Sequence, residues 1–151
     1  FEAVIDLKNL MPVNSISLGA LQDMKSWIWL PQLVQFWISN DGSEFKMVDE
    51  LTHDIPLSKE ESLTYEFKSD FKNPLKARYI KVLATNFGKC PSWHMGSGGD
   101  TWIFLDEISI TDSIPTLIRI HSYSIHSYFH LVKHIQILNT YCEYLPLQLY
   151  S

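Results

Sequence analysis

Between Asn86 and Ile110 the chain reads NFGKCPSWHMGSGGD and then TWIFLDEISI. Four of the six glycines (Gly88, Gly96, Gly98, Gly99) fall in the first half, beside Cys90, Pro91, Trp93 and His94. These residue types suit a surface that holds a polyhydroxylated ligand. An indole offers an apolar face on which C–H groups stack, and His94 or Asp100 offers a fixed hydrogen-bonding atom. Trp27 and Trp29 in QDMKSWIWLP, and Trp102 at the head of the second half, extend the candidate set. Each has a competing role: a loop tryptophan also packs beneath its own loop, and an aromatic-rich loop also suits contact with a neighbouring domain.

Other groups carry weaker chemistry. An active-site reading of His94, Asp100 and Glu107 lacks a nucleophile elbow or a defined carboxylate pair. His126, His130 and His134 are four apart and would share a helix face able to hold Zn²⁺ or Ni²⁺, but no carboxylate or thiolate accompanies them at matching spacing. Arg78 and Asp106 both fall on the inward parity of their strands, which predicts an ion pair between them, with a solvated bulge at Asp106 as the alternative. Cys90 and Cys142 are the two cysteines, too few for a disulfide framework, though they could form one bridge.

The elements that must carry these groups read as strands. Ala3, Ile5 and Leu7 alternate with Val4 and Asp6, Lys8-Asn9 is a turn, and Ile16, Leu18 and Ala20 alternate through Val13–Leu21. Leu33–Ser39 and Phe45–Val48 flank Asn40-Asp41-Gly42-Ser43, a strong hairpin signal. After a polar loop with Pro56 come a strand over Leu63, Tyr65 and Phe67, a turn at Asn73-Pro74, a strand over Ala77–Thr85, the Gly-rich loop, and a last strand over Trp102–Thr111. Seven short strands without a long amphipathic helix before Asp112 predict an all-β fold, an antiparallel β-sandwich.

The chain has 151 residues and a formal charge of −5. That length suffices for one domain with a sizeable core. No Lys/Arg cluster is present, which argues against nucleic acid, and no apolar run approaches the ~20 residues of a membrane span. From Ser113 the composition changes: charged residues shrink to Arg119, Lys133 and Glu143, and Ile, Leu, Tyr, Ser and His dominate. The domain therefore spans 1–112, and 113–151 is a tail. Moderate helical periodicity from about Ser124 to Leu138 suggests either a helix laid over a sheet face or a non-native extension.

VIDL at Val4–Leu7, WISNDGSEF at Trp37–Phe45, ARYIKV at Ala77–Val82 and DEISI at Asp106–Ile110 occur in this order at suitable spacing. The set resembles the discoidin, or coagulation factor five/eight type C, domain, a galactose-binding-like jelly roll, over Phe1 to about Asp112. LQDMKSWIWLP, CPSWH followed by GSGG, and TWIFLDEI further resemble the discoidin module at the C-terminal end of Bacteroides-type β-N-acetylhexosaminidases of glycoside hydrolase family 20, with Met95 where proline is expected. The resemblance implies a secreted, periplasmic or cell-surface parent glycosidase. It implies that the family's first strand and the catalytic barrel are missing from this chain, so that a sheet edge stands open for the tail or another chain to cover. It implies a non-catalytic module that either binds galactose or N-acetylhexosamine or braces the parent's catalytic domain. Many such domains also hold a structural Ca²⁺ with carbonyls of an early loop and an acidic residue near the last strand, which would be Glu107 here.

Overall fold

The computed structural model describes residues 1–112 and, as backbone, two strands at 117–121 and 133–136. The strands are β1 (Glu2–Gln22), β2 (Leu33–Ser39), β3 (Lys46–Leu51), β4 (Leu63–Thr85), β5 (Phe104–Thr111), β6 (Leu117–His121) and β7 (Lys133–Gln136). They hydrogen-bond in the order β3-β2-β4-β1-β5-β6, with β7 also on β1. All pairings but β7 on β1 are antiparallel. The fold is all-β, as the alternating patterns predict.

The axis of the molecule is the β1–β4 ribbon. Its first half carries β2 and β3, through pairs such as Phe36 with Val82, and its second half carries β5, through pairs such as Leu18 with Ile108. Side chains from both halves fill one core: Ile5, Val34, Phe36, Ile80 and Val82 from the first, Ile16, Leu18, Phe67, Leu105 and Ile108 from the second. The two halves therefore face each other as layers of a sandwich, made by long strands that bend from one layer into the other. Each fully buried aliphatic or Phe side chain contributes about 1.5–3 kcal/mol.

The bends are bulges. Opposite Arg78, β1 loops out Leu7–Leu10 between the pairs Asp6–Tyr79 and Met11–Ala77, and Lys8 takes φ 70°. Opposite Asn14, β4 loops out Phe71–Pro74. The expected turns at Lys8-Asn9 and Asn73-Pro74 are thus excursions within two long strands, and the four short strands expected there are two. A third bulge sets Asp106 and Glu107 opposite Gly19, whose missing Cβ would stand 3.5 Å from the Asp106 Cβ.

The bulges also redirect a charge. Arg78 does not pair with Asp106. Its Nε donates to Asp6 Oδ1 at 2.9 Å and its Nη2 to Asp6 Oδ2 at 3.1 Å. The β1 excursion shifts the inward parity at Arg78 and places it beside Asp6, while Asp106 is exposed on its bulge.

The β2–β3 hairpin forms as its turn predicts. Asp41 Oδ1 accepts the amides of Ser43 and Glu44 and the Ser39 hydroxyl, which together hold its carboxyl well below the usual range. Gly42, at φ 80°, lies against the Tyr79 ring, where a Cβ would meet Cζ at 3.1 Å. Lys81 Nζ stands 4.9 Å from the Trp37 ring centre and 4.6 Å from that of Phe45, pinning the hairpin to β4 by cation–π contact.

In the tail, β6 pairs with β5 and β7 runs parallel to β1 along Ala3–Asp6. Lys133–Gln136 is therefore strand where periodicity predicts helix: these residues supply the ladder beside Ala3–Asp6, a pairing that overrides a moderate local preference. His134 lies in that strand, so the shared helix face fails at this residue, and His126, His130 and Cys142 lie outside the described residues. Among the described residues no helix is long and apolar enough to cross a membrane.

Candidate functional site

The two Trp-bearing segments meet. Between β1 and β2 a short 3₁₀ turn, Met24–Ser26, is closed by Asp23, whose backbone pairs with Ile28 in both directions and whose Oδ2 accepts the Ser26 hydroxyl at 2.6 Å. Trp27 ends that turn at φ 64°, a conformation costly for a bulky residue and held only because its surroundings over-determine it. Its amide donates to the Met24 carbonyl and its carbonyl accepts the Trp102 amide, while the Trp29 amide donates back to the Trp102 carbonyl.

The Gly-rich loop is closed at its neck. Asn86 Nδ2 donates to the Thr101 carbonyl at 2.8 Å, and the buried Thr101 hydroxyl bonds to Asn86 Oδ1 and accepts the Gly88 amide. The Cys90 amide donates to the Gly99 carbonyl, the Gly98 amide returns to the Cys90 carbonyl, and Lys89 Nζ lies 2.6 Å from Asp100 Oδ1. The Cys90 thiol is free, and burial pushes its pKa up.

Two glycines form the bed for Trp27. A Cβ on Gly96 would lie 2.6 Å from Trp27 Cε2 and Cζ2, and one on Gly99 would lie 3.0 Å from Cζ3. The GSGG run is therefore a contact surface for an indole as well as a turn. The same bed holds His94, only 7% exposed, whose ring meets Trp27, Trp29 and Trp93 edge to face. Its Nδ1 accepts the Gly96 amide at 3.0 Å, and its Nε2 lies 3.0 Å from the Met24 carbonyl.

The candidates thus separate. Trp29 is fully buried, stacks on Phe87 and donates Nε1–H to the Leu57 carbonyl at 3.0 Å, so it is core. His94 spends both ring nitrogens inside the fold. Trp27 and Trp102 are half-buried in the seam between the segments, and Asp100 is paired with Lys89. Trp93, at 53% exposure, is the tryptophan presented outward, and Met95 beside it is 90% exposed. Residue types alone point to neither Met95 as part of the surface nor the Met24 carbonyl as its anchor. Met95 standing where the resemblance leads one to expect proline is the signal available for the first.

Glu107 stands apart on the β5 bulge, its Oε1 accepting the Ser109 hydroxyl. Among the described residues no three His, Cys, Asp or Glu side chains converge on a point that could hold a metal. A hard cation at Glu107 would need most of its six to eight oxygens from backbone carbonyls. The side chains present do not form such a shell.

No family model matches this chain, and no curated protein matches it.

Proposed function

We propose that the chain is a non-catalytic carbohydrate-recognition module of the discoidin type, part of a secreted glycosidase resembling the β-N-acetylhexosaminidases, with Trp93 as its stacking platform. The observation that carries this reading is a half-exposed indole on a loop made rigid from below. The neck bonds, the Trp27 bed and the His94 latch hold the platform before a ligand arrives, which lowers the ordering cost of binding. A sugar of galactose or N-acetylhexosamine type would lay its C–H face on the Trp93 ring and its hydroxyls toward polar atoms of the same loop.

The exposed Met95 favours a second reading. Trp and Met together form an apolar tip with few free hydrogen-bonding atoms, which suits packing against the parent's catalytic domain. An NMR titration of the five indole N–H signals with galactose, N-acetylglucosamine and N-acetylgalactosamine, each with and without Ca²⁺, separates the two. Saturable shifts centred on Trp93 support sugar recognition. Well-dispersed signals that ignore every sugar at millimolar concentration refute it in favour of the brace, and a Ca²⁺ requirement would give Glu107 a role its side-chain surroundings do not suggest.

A further inference from the structure

We propose that His94 is a positioning residue for the Trp93 platform and that its protonation state governs how the platform is presented. The proposal rests on the ligand-binding reading of Trp93. A backbone amide can only donate, so the Gly96 N–H at 3.0 Å requires a bare Nδ1. The neutral ring then carries its hydrogen on Nε2, which donates to the Met24 carbonyl. One imidazole in this tautomer fastens the Gly-rich loop to the 3₁₀ turn, and Trp93 stands against it at 5.9 Å between ring centres.

A proton on Nδ1 sets two N–H groups against each other across the His94–Gly96 contact. The Nε2–H bond to Met24 survives, so the break falls on the Gly96 side, within the segment that carries Trp93 and Met95. The charged groups on the packed elements are Asp23 and Lys25 on the turn and Lys89 and Asp100 on the loop. Asp23 holds the Ser26 hydroxyl and Asp100 is paired with Lys89, and burial keeps the Cys90 thiol neutral. Neither sign dominates the surroundings. Acidification therefore loosens the loop and weakens sugar binding, by roughly tenfold for one buried hydrogen bond.

The test follows the His94 imidazole ¹⁵N shifts, the Gly96 amide and the Trp93 indole across the imidazole titration, first without ligand and then with the same three sugars. His53, packed on Tyr65 and Phe67, is an internal control. The expected result is the Nε2–H tautomer for the neutral ring, Gly96 and Trp93 signals that move together with His94, and a sugar response that falls about tenfold as the cation forms. His94→Asn, which retains an acceptor near the Nδ1 position and does not titrate, should make both signals and response independent of pH. A neutral ring that carries its hydrogen on Nδ1, or Gly96 and Trp93 signals that stay fixed while His94 changes protonation, overturns the proposal. Should no sugar move Trp93 at any pH, the ligand reading fails, while the latch still stands or falls on the ligand-free shifts. Should His94→Asn not fold, the wild-type titration decides alone.

Discussion

Gly96→Ala probes the bed beneath Trp27. The added methyl would lie 2.6 Å from Cε2 and Cζ2 and 3.0 Å from Cη2 of that ring, where carbon atoms ordinarily stand ~3.5–4.0 Å apart. The ring must retreat by about 1 Å. It has little room to do so: its backbone is in the left-handed region, its amide and carbonyl are tied to Met24 and Trp102, and Gly99 lies against the same ring. Gly96 itself is not left-handed, so the cost is steric. Overpacking costs about 1–3 kcal/mol, and the narrower unfolded ensemble of alanine offsets about 0.4–1 kcal/mol of that. The net destabilisation is about 1–2 kcal/mol, a fall in the urea midpoint of about 0.5–1 M with an unchanged m-value. In a Trp27→Phe background the six-membered ring of the indole is gone, and Gly96→Ala should cost less than about 0.5 kcal/mol. Equal costs in the two backgrounds would refute the idea that GSGG is shaped to receive an indole.

Four further outcomes are expected. Trp93→Ala should leave stability within about 0.5 kcal/mol of wild type, as an exposed side chain allows, while abolishing any sugar-induced indole shift; Trp29→Ala should cost about 3–5 kcal/mol by the same urea assay, as a fully buried indole does. The hydrogen bonds from Arg78 hold the Asp6 carboxyl below the usual range, with the Lys8 amide adding and burial opposing. A lowered folded pKa contributes stability that is complete above the unfolded value of about 3.9 and lost as pH falls through the folded one, so the deficit of Asp6→Asn at pH 7 should vanish on acidification; a deficit constant to about pH 2 would contradict this. Arg78→Ala and Asp6→Ala should combine non-additively in thermal or urea unfolding, whereas Arg78→Ala and Asp106→Ala should add within about 0.5 kcal/mol.

What the sequence reveals follows the range of each interaction. The Asn40–Ser43 hairpin is legible because turn chemistry and strand alternation are local and agree. Lys8-Asn9 and Asn73-Pro74 carry the same kind of turn residue, yet a local signal does not say whether the chain reverses or bulges and resumes. That one ambiguity divides two long strands into four and misaligns the parity of Arg78, hence its wrong partner. In the site, the aromatic and Gly-rich composition is legible, but the direction in which each ring points is not. His94 and Trp29 look like ligand groups by type and are interior by virtue of the Met24, Gly96 and Leu57 backbone atoms that meet them. Gly96 and Gly99 read as members of a Gly-rich loop, yet their value lies in the space they leave for Trp27.

The β1–β4 ribbon also sets the order in which the molecule can assemble. Its register joins Glu2 to Leu83, about eighty residues away, and at its other end Gln22 to Leu63. The hairpin of β2 and β3 closes across a handful of residues and can form early, but its seat on the sheet exists only once β4 has found β1. The same holds for β5, which docks on the far half of β1. Non-local pairing of this kind places folding in the slow, milliseconds-to-seconds class of all-β domains. During synthesis β1 leaves the ribosome long before its partner, so an apolar strand with both edges open must wait, and the charged residues Glu2, Asp6 and Lys8 are what it carries against premature association.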